Sequence, residues 1–290
     1  MVSIFCGVML ALMLRFPAVV LQSALAGLEA FARSVLPTLF PYMVFCQLAG
    51  DRFSRQTHMP AALPCALLGL LGGSPSGARM AASLYAQARI SRRSLRIVCA
   101  LCGTVSPIFI TGTIAAWAGS ASFGLCALLS HWGGALACGL LTALLCTRRT
   151  DVPAAAAANR AAPPLRLTEA IVQSAQAMLS IGGCIALFSV LAAMPAAIFP
   201  RISPTLGAVL HAVLEMAGGS HALLSVGWPP RIACCAVSAC VSFGGLSILM
   251  QNLTFLRGVS VRALPLLLVR CAHAALAAGI CWVLYPLLSA

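Results

Sequence analysis

The chain has 290 residues, of which 61% are hydrophobic and 8% charged, with a mean hydropathy of +1.00. That apolar share lies far above the range of soluble domains and assigns the sequence to the integral membrane proteins. The net charge of +13 comes from arginine alone, since lysine is absent, and the arginines fall mainly between apolar runs. Such loops are what a cytoplasmic membrane face carries, so the charge does not point to a nucleic-acid partner.

Apolar stretches of spanning length run near 3–26, 28–49, 97–118, 121–146, 170–194, 232–256 and 263–287. Each offers about the 20 residues that a ~30 Å hydrocarbon core requires of a helix. The run 2–14 lacks a basic start and a small-residue cleavage site, so it reads as a first span rather than a removed signal. Two more apolar stretches, 61–88 and 205–227, are interrupted by glycine and small polar residues and read as hairpins that enter the membrane and return. The expected fold is all-α and polytopic, with about seven spans plus two re-entrant helical hairpins. The order of long span, glycine-broken hairpin and span with a polar break occurs twice, which predicts two inverted repeats.

The expected units are a leading transmembrane helix 1–27, a first repeat with its following span 28–146, a cytoplasmic linker 147–168, and a second repeat with the final span 169–290. The alanine run 154–158 marks the linker as low in complexity. With the N-terminus in the cytoplasm, twelve of the eighteen arginines lie inside and only Arg33, Arg201 and Arg231 outside. Arg15, Arg79 and Arg270 sit within apolar segments. This asymmetry is the positive-inside pattern.

Candidate functional residues gather at the predicted breaks. In Gly72-Gly73-Ser74-Pro75-Ser76-Gly77-Ala78-Arg79, Ser74 or Ser76 can cap a helix start, whose free N–H groups with Arg79 suit an anionic or polar solute. The alternative is a close-packed turn with its serines bonded locally and Arg79 snorkelling to the headgroups. Gly103-Thr104-Val105-Ser106-Pro107 opens a span near its middle and brings hydroxyls from Thr104 and Ser106, unless it merely kinks the bundle. Ser242-Phe243-Gly244-Gly245-Leu246-Ser247 is the counterpart, with Gln251 one turn beyond Ser247. Glu215, in Leu214-Glu215-Met216-Ala217-Gly218-Gly219, is a carboxylate flanked by apolar residues. A charge at bilayer depth costs roughly 2.5–3.5 kcal/mol, so it should be protonated, paired with Arg79, or in contact with water or a solute. Ser220 follows at the expected tip, with His211 and His221 near enough to tune the acid.

The fourteen cysteines are scattered through apolar segments and read as small buried hydrophobes, with neither a disulfide framework nor a metal site expected. No hydrolase elbow, phosphate loop, zinc-binding pair or kinase signature occurs, so neither an enzyme nor a cofactor is expected.

Several blocks carry a family resemblance: residues 35–42 (VLPTLFPY), 72–78 (GGSPSGA) followed by Leu84-Tyr85, 106–113 (SPIFITGT), 214–219 (LEMAGG), and 243–247 (FGGLS) with Gln251. In their order the chain resembles the nucleoside-recognition, or Gate, family of bacterial membrane proteins, in particular the YlbJ-type sporulation integral membrane proteins. The resemblance implies a membrane of an endospore-forming cell, forespore or mother cell, a part in building the spore cortex, and distant kinship with concentrative nucleoside transporters. Where the family pattern has two asparagines, this chain has Gly103 and Thr104; where it has histidine, Leu249. The expected partners are the lipid bilayer, a small polar solute and, as a homo-oligomer, further copies of the chain. The expected function is to bind or move that solute, the alternative being a non-transporting scaffold for cortex assembly.

Overall fold

The computed structural model describes residues 2–55, 60–103, 105–146, 163–259 and 261–288, and all regular elements among them are helical. Thr104 and most of the expected linker, residues 147–162, lie outside the described residues. Among the described residues, five helices are long and apolar enough to cross a membrane: Pro17–Phe53, Ala121–Leu145, Leu167–Ile198, Pro230–Phe255 and Ala263–Leu288.

The first elements differ from the expected spans 3–26 and 28–49. Helix α1 (Val2–Arg15) ends at Phe16 because Pro17 has no N–H to donate and fixes the first turn of α2 (Pro17–Ala30). Helix then continues through the expected boundary at 27, where Gly27 is a packing position against Ser189 rather than a stop. A π-helical turn, Phe31–Val35, joins α2 to α3 (Leu36–Arg55). Pro37, just beyond it, cannot donate to the Arg33 carbonyl, and Thr38 Oγ1 donates to Ser34 O at 2.6 Å. The face of this rod toward α9 (Leu167–Ile198) carries Gly27, Phe31, Leu39, Met43 and Gln47, which meet Ser189, Gly182, the Ile181–Ile185 region and Ser174.

The first hairpin is α4 (Ala62–Gly72) and α5 (Ser76–Ala86); the second is α10 (Pro204–Leu214) and α11 (Met216–Leu224). An eleven-residue arm is about 16 Å long, half of what a crossing needs. The second tip is Glu215 itself, not Gly218-Gly219-Ser220 as expected. Those three residues are helical because the glutamate side chain caps the turn that contains them.

Each hairpin is followed by an interrupted helix. The stretch expected as one span, 97–118, is α6 (Arg92–Cys102), a break through Ser106, a π-helical segment Phe109–Ile114 and a final turn α7 (Ala115–Ala118). In the second half, α12 (Pro230–Phe243) and α13 (Gly245–Phe255) meet at Gly244 and Gly245, whose φ values of 82° and 69° only glycine adopts readily. Long helices α8 (Ala121–Leu145) and α14 (Ala263–Leu288) close the two halves and pack on each other and on α12. The order long helix, hairpin, broken helix, long helix thus recurs.

Lipid offers no hydrophobic drive between helices, so close approach through small residues carries the packing. Gly69 on α4, Gly77 on α5 and Cys102 on α6 meet without room for a side chain at either glycine. Gly77→Val should therefore lower the stability of the detergent-purified protein by about 1–3 kcal/mol through overpacking. Gly112→Val, where nothing lies within 4 Å, should stay within about 0.5 kcal/mol; thermal unfolding of both compares them.

Candidate functional site

The two tips and two breaks pack together in pairs. A side chain at Gly73 would strike the backbone of Ser106, and one at Gly245 would lie 3.1 Å from the Leu214 carbonyl and the Met216 nitrogen. Each tip therefore rests on the break of its own half. Between the pairs lies a cavity of about 60 Å³ lined by Ser74, Ser106, Glu215, Ser247, Gln251 and Thr38, with Val105, Ile181, Ile185 and Ile248 as apolar wall.

Glu215 is 4% exposed and adopts an extended conformation between α10 and α11. Its Oε1 accepts from the Ala217 N–H at 3.0 Å and its Oε2 from the Gly218 N–H at 2.6 Å. A carboxylate at a helix N-terminus satisfies two orphan donors and meets the positive end of the helix dipole, which offsets the cost of its depth. It does not pair with Arg79. The Arg79 guanidinium donates to the Gln173 carbonyl and side chain at 2.7 and 2.9 Å and lies over the Phe255 ring.

The expected capping of α5 is not made. Ser74 Oγ donates to Asn252 Oδ1 on α13 at 2.7 Å, a bond that joins the halves, and Ser76 Oγ donates back to Gly73 O at 2.6 Å. Gln251 Nε2 donates to Ser247 Oγ at 3.2 Å, and Ser106 Oγ accepts from the Phe109 N–H at 3.4 Å. Ser220 and Ser242 lie elsewhere: the first donates to Cys240 Sγ, the second shares a hydrogen bond of 2.9 Å with His131 Nδ1. Gly244 serves the break through its backbone. His211 is close to Glu215 across Gly218, whereas His221 is engaged edge-on with Trp117.

Arg79 lines a second, larger cavity of about 230 Å³ with Gln47, Asp51, Arg55, Ser83, Glu169 and Gln173. On both α3 (Leu39 to Gln47) and α9 (Ile181 to Gln173) it is displaced eight residues from the inner cavity, about 12 Å of helix. Met43, Met178 and the Gln47–Ser174 hydrogen bond of 2.7 Å fill the space between.

A polar cluster that the sequence did not single out supports the first break. Arg270, 1% exposed on α14, donates to the carbonyls of Gly103 and Cys99, the latter at 2.9 Å, and no carboxylate pairs with it among the described residues. His131 Nε2 accepts from the Val105 N–H at 3.2 Å, while His273 Nε2 donates to the His131 carbonyl at 2.8 Å and stacks on its ring. A side chain at position 103 would collide with the Arg270 guanidinium, so glycine there leaves room for this arginine. The signal was present: an ionisable residue inside an apolar segment marks a site.

Cys126, Cys234 and Cys281 from α8, α12 and α14 place three buried sulfurs within 4.8 Å of one another, the group among the described residues with spacing for a metal ion. The sulfurs of Cys126 and Cys281 are 3.7 Å apart.

Two substitutions separate these roles. Glu215→Ala should lose about 0.5–2 kcal/mol of stability as a lost cap, with Glu215→Gln losing less; chemical unfolding in detergent measures both. Arg270→Leu should cost about 1–3 kcal/mol for each carbonyl left unpaired. Because Gly103→Ala collides with that guanidinium, the double variant should be less destabilised than the two losses added, and a double-mutant cycle measures the coupling.

No family model and no solved structure matches the chain. Among curated proteins, the sporulation integral membrane protein YlbJ of Bacillus subtilis (strain 168) is 26% identical over 214 residues, 62% of this chain and 52% of the relative. The chain thus spans about half the length of the curated relative it matches. That relative and the five apolar helices both support placement in a membrane.

Proposed function

We propose that the chain is a transporter-like membrane protein of a sporulating cell that binds or moves a small polar solute between its two halves. One observation carries the reading: Ser74, Ser106 and Glu215, from three separate interruptions of helix, and Ser247, in the first turn after a fourth, line one cavity. Irregular backbone persists at bilayer depth where it lines a cavity, and broken helices that meet between repeats form the midplane site of many secondary transporters. In this reading the halves are inverted repeats of Gate type, the N-terminus is cytoplasmic and no chemistry is catalysed. The sporulation setting rests on the relative's name.

A cavity of about 60 Å³ holds water or a small ion and falls short of the 300–1,000 Å³ of pockets for larger ligands. The arrangement is therefore a closed state. The 230 Å³ polar cavity is its vestibule, and the Gln47–Ser174 and Arg79–Gln173 hydrogen bonds are the latch between them. Gln251 and Asn252 offer amides able to read a nucleoside on opening, in place of those missing at 103 and 104.

Uptake of a panel of nucleosides and small polar solutes into reconstituted vesicles tests this. Wild type should exceed empty vesicles for at least one solute. Ser247→Ala and Glu215→Gln should reduce that flux about fivefold or more, and Ser220→Ala, outside the cavity, should change it less than twofold. Flux no greater than that of empty vesicles across the panel would overturn transport and favour the scaffold for cortex assembly.

A further inference from the structure

A cleft of about 500 Å³ lies away from both cavities, between the start of α6, the end of α8 and the start of α14. Arg92 and Arg96, one turn apart on α6, and Arg262, just ahead of α14, stand at it, and no aspartate or glutamate among the described residues lines it. Arg96 and Arg262 are exposed and have no hydrogen-bonding or ionic partner among the described residues. Arg93, their neighbour, is turned into the fold, donating to the carbonyls of Ala143 and Cys146 and tying α6 to the end of α8. The remaining walls are mostly apolar, with Ala100, Leu145, Leu266 and Val269 among them.

We propose that this cleft is a binding site for an anionic phospholipid, its phosphate held by Arg96, Arg262 and Arg92 and one acyl chain laid along Leu145 and Val269. A water-soluble anion would satisfy the guanidinium groups and leave the apolar walls empty. A zwitterionic lipid would fill the walls but bring its own cation to the arginines. An anionic amphiphile satisfies both, and basic pockets between membrane helices take lipid headgroups in this way. Guanidinium suits the task because its fork of donors matches phosphate oxygens. The occupant would bridge α6, α8 and α14, the three helices that surround Arg270 and the first break.

The test uses the full chain purified in neutral detergent and titrated with phosphatidylglycerol, phosphatidylcholine or inorganic phosphate, read by thermal unfolding and by lipid retained in native mass spectrometry. Phosphatidylglycerol should raise the melting temperature by several degrees more than phosphatidylcholine, and inorganic phosphate should leave it unchanged. The double variant Arg96→Gln/Arg262→Gln, at two exposed positions, should fold and lose most of that difference. Val269→Trp, which fills the apolar part and leaves the arginines, should retain several-fold less lipid. Equal stabilisation by both lipids, or a preference for phosphatidylglycerol that survives the double variant, would overturn the proposal. A shift reproduced by inorganic phosphate alone would replace it with a free-anion site.

Discussion

Hydrocarbon cannot hydrogen-bond a peptide group, so each place where a helix stops inside an apolar bundle must find a polar partner from the protein. Among the described residues the two hairpin tips and two breaks are such places, and several buried polar residues answer that demand. Glu215 takes two N–H groups of α11. Arg270 takes carbonyls that α6 leaves open, and His131 takes the Val105 N–H on the other side of the same break. Thr38 and Thr111 do the same for carbonyls near Pro37 and Pro107.

The two halves meet this demand differently. The second is self-sufficient: an acid caps its hairpin and paired glycines absorb the turn. The first depends in part on the second, since Ser74 reaches across to Asn252 and Arg270 of α14 holds its break beside His131 of its own α8. The proposed solute site and the joint between halves are therefore one structure. Whatever alters the Ser74–Asn252 bond changes both.

Much of this was legible in the sequence because glycine, proline and serine clusters in apolar surroundings mark interruptions independently of tertiary context. Both hairpins and both breaks were located from such clusters. Ser74, Ser106, Glu215, Ser247 and Gln251 were named from them and meet at one cavity. What was not legible depends on partners far apart in the chain. Ser220 and Ser242 have the same composition signal as Ser247, yet they face Cys240 and His131. Arg79 meets Gln173, 94 positions away, and not Glu215. The close contact of Gly27 with Ser189 depends likewise on a helix far along the chain.

The π-helical turn at Phe31–Val35 bears on how two long rods stay in contact. Gly27, Phe31, Leu39, Met43 and Gln47 are separated by multiples of four, whereas an α-helix repeats every 3.6 residues and so slips about 40° per step, or about 200° over the five steps. A wide turn accommodates one surplus residue and absorbs roughly half of that drift, which keeps the stripe aimed at its neighbour from end to end. It follows that this is the point in the rod where excision of a single residue would be absorbed by rewinding to regular pitch. Elsewhere along it, the same excision would swing one end out of phase with the other.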